Sequence, residues 1–483
     1  MNTSKKENII TNFIWRFAER CGAQIVSFLV SILLARLLLP EDYGTIALVS
    51  VFINILQVFV DSGLSTALIQ KQDADEIDFS SVFYFNVLVC LVLYVIVWIS
   101  SPFIAEFYKD ISLIPVIRVI GITLLISGIK GIQQTYVAKN MMFKKFFFST
   151  LIGTVISAIL GVGLAIIGMG IWALVWQQIS NMVIDTIVLW IIVPWRPRNR
   201  FSLKRLKKLL SFGWKLLISA LLDVGYNNLR SLIIGKKYSS TDLAYYNQAN
   251  KFPELVVTNV NTSIDSVLLP TMSNVQNDLE NVKNITRKSI RMSIYIMSPL
   301  MLGLAFCADS LIKLLLSDKW LPCVLYLRIF CITYMFWPIH TSNLNAIKAM
   351  GRSDLFLRME VIKKGIGCIL LIVTMQISVL AMAYSLLLNT FIGMAINSWP
   401  NKKLLGYSFR EQMKDIIPIV SISIFMGIII SFIPRFGWGI VATLIVQIAI
   451  GATIYLGISK FMQIEEYIYI ISLLKKYKGK LAK

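Results

Sequence analysis

Residues 82–105 read VFYFNVLVCLVLYVIVWISSPFIA, a run without one Asp, Glu, Lys or Arg. A helix needs about 20 mostly apolar residues to cross the hydrocarbon core of a bilayer, so this stretch predicts a transmembrane helix. Working outward with the same length, and with Pro, Gly and charge as punctuation, divides the chain into about fourteen spans. They fall at 12–38, 43–66, 82–105, 114–137, 148–168, 171–193, 211–234, 241–270, 291–317, 322–349, 355–375, 377–399, 415–434 and 438–460. Short joints at Pro40–Gly44, Gly168–Gly170 and Pro434–Gly437 read as tight turns between antiparallel neighbours.

Composition leads to the same class. Of 483 residues, 57% are hydrophobic and 15% charged, against about 25% charged in a soluble domain. Such a chain has too little polar surface to face water, so lipid is its outer solvent, and the fold class is all-α integral membrane. Cys21, Cys90, Cys307, Cys323, Cys331 and Cys368 stand singly in apolar stretches, and His340 is the one histidine. That pattern argues against a disulfide framework and a metal centre. The polar N-terminal lead runs into a long apolar stretch with no small-residue cleavage site, which reads as a retained first helix.

The net charge is +21, from 47 Lys and Arg against 26 Asp and Glu. With the N-terminus in the cytoplasm, the inner loops are 67–81, 138–147, 194–210, 271–290, 350–354, 400–414 and the tail. These carry most of the basic residues, while the outer joints hold few beyond Arg36, Lys109, Lys236, Lys237, Lys319 and Arg435. This is the positive-inside bias, and it places both termini in the cytoplasm. The run Arg196, Arg198, Arg200, Lys204, Arg205, Lys207, Lys208 is then a topology signal touching anionic lipid, and nucleic acid is not a partner. The tail from Ile464 to Lys483 mixes Tyr, Ile and Leu with lysines, as a helix lying along the inner surface does.

A weak internal repeat is present. Trp15 precedes Asp42 much as Trp214 precedes Asp242, and Asp61-Ser62-Gly63-Leu64 corresponds to Asn261-Thr262-Ser263-Ile264. The predicted architecture is therefore two six-helix bundles related by a pseudo-two-fold, 1–205 and 206–400. The last two helices and the basic tail, 401–483, are appended. Parallel repeats of this kind are a transporter habit.

Four spans carry polar residues at steps of three and four, which places each set on one helix face. The first has Arg16, Arg20, Gln24, Ser27 and Ser31, and the second Ser50, Asn54, Gln57, Asp61 and Ser65. The seventh has Lys215, Ser219, Asp223, Asn227 and Arg230, and the eighth Asn247, Lys251, Glu254, Thr258, Asn261 and Asp265. An ionised group at the bilayer centre costs about 2.5–3.5 kcal/mol even on the lenient insertion scale, so such faces call for a water-filled or protein-paired setting. Blander readings stand beside this one. Arg16, Arg20 and Lys215 lie near an inner helix end, from which they can snorkel. Glu254 can pair with Lys251 one turn away. Lys130, Arg118 and Arg328 read as structural, and His340, after Trp337-Pro338, as a packed histidine at a kink. Cations exceed anions toward the inner leaflet, which fits an amphiphile with a phosphate and a glycan.

Specific motifs sharpen this. Ala35-Arg36-Leu37-Leu38-Leu39-Pro40-Glu41-Asp42-Tyr43-Gly44, Ala67-Leu68-Ile69-Gln70-Lys71, Asp78-Phe79-Ser80-Ser81, Tyr245-Tyr246-Asn247-Gln248-Ala249 and Gly351-Arg352-Ser353-Asp354 resemble the Wzx-type polysaccharide repeat-unit flippases. One departure is Gln248, where the family pattern has Arg. The resemblance implies the multidrug/oligosaccharidyl-lipid/polysaccharide exporter fold, with alternating access around a central cavity. Its implied cargo is a polyprenyl-(pyro)phosphate-linked oligosaccharide in a bacterial plasma membrane, with other polysaccharide-assembly membrane proteins as partners. It further implies cavity cations for the pyrophosphate. Arg16, Arg20 and Lys251 occupy comparable places, and the second span offers only Asp61. Candidate binding residues are thus Arg16, Arg20, Gln24, Lys215, Arg230, Asn247 and Lys251. Coupling to a proton or sodium gradient would draw on Asp61, Asp223, Glu254 or Asp265. No Walker A pattern is present, and no cofactor or catalytic group is expected. A multidrug or small-cation exporter of the same fold is the alternative. A polymerase or ligase fits less well, because the outer joints are short and nearly bare.

Overall fold

The structure, a computed structural model, describes residues 22–61, 63–198 and 201–481, and among these all regular structure is helical. Arg16, Arg20 and Arg200 lie outside the described residues, as does the side chain of Asp61. The first helix, α1, is Gly22–Leu37. It is followed by α2 (Pro40–Asp61), α3 (Leu64–Gln70), α4 (Glu76–Tyr108), α5 (Leu113–Lys139), α6 (Phe143–Ile166), α7 (Ile171–Ile192), α8 (Leu203–Lys237) and α9 (Ser240–Asn274). Then come α10 (Leu279–Phe306), α11 (Ala308–Leu315), α12 (Cys323–Met335), α13 (Trp337–Ala349), α14 (Ser353–Thr374), α15 (Val379–Leu405), α16 (Phe409–Ser431), α17 (Ile440–Phe461) and α18 (Glu465–Leu481).

The uncharged run 82–105 lies wholly inside α4. Ten helical segments are long and apolar enough to cross a membrane, and α8, bent by 49° between Ser211 and Gly213, makes an eleventh if taken as one span. The three other expected spans coincide with α1, α9 and α14. Of these, α1 is short within the described residues, while α9 and α14 carry many polar side chains. Helix starts recur after about 200–210 residues: Pro40 and Ser240, Glu76 and Leu279, Leu113 and Cys323, Phe143 and Ser353, Ile171 and Val379. The internal repeat is thus carried by helix order.

Local chemistry explains the boundaries. The turn before α2 lies at Leu38-Leu39 rather than across Pro40–Gly44, because proline suits the first helical position, where no N–H is needed. Asp42 then accepts a hydrogen bond from the Leu39 N–H at 3.2 Å. At the repeat-related start of α9, the Ser239 hydroxyl donates to Asp242 and accepts its N–H. A capping box of Asp75 and Asp78 opens α4. The predicted kink appears as the break between α12 and α13 at Phe336-Trp337-Pro338. Gly63, at φ +84°, separates α2 from α3 and abuts Gly213 at the bend of α8 so closely that a side chain at either position would overlap the other's backbone.

The chain forms two compact units, 1–244 and 245–483. In the first, α5 packs on α2, α4 and α7, α6 lies along α7, and α8 lies against α2, α3 and α4. Leu64, Leu68, Phe79, Val82, Ile132, Trp195 and Leu206 form a core at the end where the linker 194–202 passes. A buried ion pair, Lys130–Asp185, ties α5 to α7. Arg118 donates to the Ser101 hydroxyl at 2.9 Å and lies over the Trp98 ring. In the second unit, α10 packs on α12, α13 and α16, α14 on α15, and α16 on α17.

Polar side chains knit the second unit from inside. The fully buried Gln412 accepts hydrogen bonds from the Asn343 amide at 2.9 Å and the Ser398 hydroxyl at 3.0 Å, and Asn401 donates to Asn343 at 2.7 Å. His340 meets the Asn397 amide at 2.9 Å, which makes it a packed histidine beside the kink. On α17, Thr443, Gln447, Gly451, Tyr455 and Ser459 recur every fourth residue and are all buried. Gln447 donates to the Ile430 carbonyl, and Tyr455 to the Tyr295 carbonyl. The opposite face of α17, with Val441, Ile445, Ile448 and Leu456, is exposed. This is the expected polarity of a lipid-facing helix, where only apolar groups can meet hydrocarbon.

Candidate functional site

Two helices turn a polar stripe outward. On α8, Lys215, Ser219, Asp223 and Asn227, each one turn from the next, are all exposed. On α9, Lys251, Glu254, Thr258, Thr262 and Asp265 are exposed, while Phe252, Pro253, Val257, Leu268 and Met272 are buried. Most apolar side chains of α9 anchor the helix to its own unit, and from Lys251 to Asp265 its charged side chains are turned outward. Hydrocarbon cannot solvate such a face, so it belongs to an aqueous or ligand-lined surface.

The sequence-predicted residues divide by unit. In the first, Gln24 on α1 is half-buried, and Lys215 and Asp223 stand on the open face of α8. Arg230, one turn beyond that face, is 7% exposed, and its Nε and Nη2 find no acceptor among the described residues. A buried guanidinium with idle donors is completed by an anion or water, because burial without a partner is costly. In the second unit, Asn247 is half-buried, and Lys251 and Glu254 share the open face of α9. Glu254 accepts from the Asn250 amide at 2.8 Å, and Asn250 in turn accepts from the Tyr334 hydroxyl at 2.7 Å. Tyr334 is stacked on Trp337, so a chain of contacts leads from the kink to the Glu254 carboxylate. Asp265 accepts from the Asn345 amide at 2.8 Å. Gln248, the departure from the family pattern, is buried, and its Oε1 has no partner among the described residues.

Some of these features escape a sequence reading. Asp185, the partner of Lys130, is signalled only as an acid inside an apolar run. Asn345 gives no signal at all until α13 is laid beside α9. Conversely, several family motifs are scaffold. Lys71 pairs with the buried Asp78 at 2.5 Å. The Ser80 and Ser81 hydroxyls accept the Arg198 and Ser202 N–H groups, pinning the linker between α7 and α8. In Gly351-Arg352-Ser353-Asp354, glycine takes φ +72°, and Arg352 grips Asp354 through two 2.9 Å bonds. That grip holds the Asp354 carboxyl down at about 2.

These features define a polytopic helical membrane protein. The lipid II flippase MurJ, in an inward closed conformation, shares the fold with a TM-score of 0.73, covering 94% of this chain and 98% of its own at 17% identity. The chain belongs to the family of polysaccharide biosynthesis proteins, which matches residues 33–325. Among its relatives is the teichuronic acid biosynthesis protein TuaB of Bacillus subtilis (strain 168), 26% identical, covering 83% of this chain and 84% of TuaB. Another is the succinoglycan biosynthesis transport protein ExoT of Rhizobium meliloti (strain 1021), 22% identical, covering 66% of this chain and 64% of ExoT.

Proposed function

We propose that this protein is a flippase. It moves polyprenyl-(pyro)phosphate-linked oligosaccharide repeat units from the inner to the outer leaflet of a bacterial plasma membrane for surface polysaccharide synthesis. The observation that carries this reading is the outward polar face of α9, from Lys251 to Asp265, on a helix whose Phe252, Val257, Leu268 and Met272 side chains are buried. Membership in the polysaccharide biosynthesis family and kinship with a protein named for succinoglycan transport support it.

In this account Lys215, Arg230 and Lys251, with Arg16 and Arg20, receive the pyrophosphate, and Gln24 and Asn247 bond the glycan. Asp61, Asp223, Glu254 and Asp265 are the candidates for proton or sodium coupling under alternating access. No covalent step is required, so the protein is a transporter rather than an enzyme. A small-cation exporter is disfavoured by the lysines on the open faces of α8 and α9. Deleting the gene should leave lipid-linked repeat units accumulating on the cytoplasmic leaflet while their synthesis continues. Normal delivery to the outer leaflet, in a strain with no second flippase, would refute the assignment.

A further inference from the structure

Within the second unit, α9 and α13 form an open cavity of about 270 Å³ lined by Asn261, Thr262, Asp265, Thr341, Leu344, Asn345 and Lys348. Its hydrogen-bonding inventory is lopsided. Asn345 is 1% exposed, and its amide N–H group is committed to the Asp265 carboxylate, which fixes the direction of its Oδ1. That oxygen is buried and has no partner among the described residues, and the same is true of Asn261 Oδ1. The Thr262 hydroxyl proton is spent on the Thr258 carbonyl at 2.7 Å, so only its lone pairs remain. The cavity therefore offers mostly acceptors, with the Asn261 amide N–H groups as its uncharged donors. Its one cationic donor is Lys348, whose ammonium lies 4.7 Å over the Phe356 ring.

A ligand for this cavity must donate several hydrogen bonds and accept at least one. Phosphate only accepts, so it would meet Asp265 and the two amide oxygens unfavourably. A hydrocarbon tail would leave the same oxygens unpaired. A divalent ion is disfavoured, since Asp265 is the one carboxylate in the lining and Lys348 would repel it. Sugar hydroxyls fit, because each donates one proton and accepts through its lone pairs. The Leu344 side chain is left for the C–H face of a ring. The volume lies just under the roughly 300 Å³ at which drug-sized ligand pockets begin, a scale suited to a single sugar ring.

We infer that the Asp265–Asn345 cavity is a saccharide subsite, which reads one sugar of the glycan through its hydroxyl groups. The inference rests on the flippase reading for its cargo, but not for its geometry. It makes Asp265 a specificity residue and removes it from the coupling candidates.

The test measures binding to the purified full-length protein in nanodiscs. The probes are a bare polyprenyl pyrophosphate and the same carrier bearing one glucose, galactose or N-acetylglucosamine. For wild type, at least one sugar should tighten binding by about tenfold, the scale of one or two net hydrogen bonds. Asp265→Ala and, independently, Lys348→Met should erase that gain, and Lys348→Met should leave the affinity for the bare carrier within about twofold. A sugar gain absent from wild type, or surviving in both variants, would overturn the subsite. So would an Asp265→Ala protein that loses only a sodium dependence of binding. Failure of wild type to bind the bare carrier would instead sink the flippase reading, and the subsite with it.

Discussion

Helices α17 and α9 each carry polar residues at helical spacing, in opposite arrangements. On α17 the polar stripe Thr443, Gln447, Tyr455, Ser459 is buried against the protein and the Ile and Val side chains are exposed. On α9 Phe252, Val257, Leu268 and Met272 are buried, and Lys251, Glu254, Thr258, Thr262 and Asp265 are outside. The difference separates two uses of intramembrane polarity. Buried polar groups join helices where lipid tails give no hydrophobic drive for association. Exposed ones need something other than lipid to solvate them, and in a transporter that is water or cargo.

The largest effect should come from placing a charge on the two outward faces. Ile448→Lys on α17 should cost about 2.5–3.5 kcal/mol of insertion, read as loss of folded, monodisperse protein in detergent. Thr258→Lys on α9 should be recovered at close to wild-type yield. Equal losses would erase the distinction between the two helices. Next, Lys251→Ala should slow transport about tenfold, as expected for loss of one charge-assisted contact to the head group, with normal insertion. Unchanged transport would remove Lys251 from the path.

A smaller change should follow on the α17 side. Gln447→Leu loses the bond to the Ile430 carbonyl and should destabilise the protein by about 0.6–1.7 kcal/mol, the range measured for interhelical hydrogen bonds in a membrane protein. Transport per folded molecule should stay at the wild-type value. The smallest effect sets the background. Asp309→Asn breaks an ion pair with Arg328 in which both partners are about half exposed, and should shift stability by less than about 0.5 kcal/mol.

Much of this was legible in the sequence, for reasons that particular residues make plain. The run 82–105 had no structure open to it but a span, and it is the middle of α4. The stripe Lys215, Ser219, Asp223, Asn227 has a strict one-turn step, and all four side chains share the open face of α8. The same periodicity misplaces Arg230, which lies inside: spacing gives a direction around the helix but not what packs there. Periodicity also cannot distinguish α9 from α17, since a polar stripe reads alike whether it faces in or out. Partners across helices are equally silent. Asp265 is conspicuous in sequence, yet Asn345, the residue that orients it, lies eighty positions away in an unremarkable stretch of α13. The scaffold roles of Ser80 and Ser81 were hidden for the same reason, because their partners belong to the linker before α8.

The central claim is that the open polar face of α9 carries a lipid-linked glycan across the bilayer. Its most direct test is leaflet-resolved movement of a defined polyprenyl-pyrophosphate oligosaccharide in vesicles containing only this protein, with and without a proton or sodium gradient. The account predicts gradient-dependent transfer well above that of protein-free vesicles, with Lys251→Ala reduced about tenfold. Transfer no faster than in protein-free vesicles, with folded protein present and either gradient imposed, would contradict it.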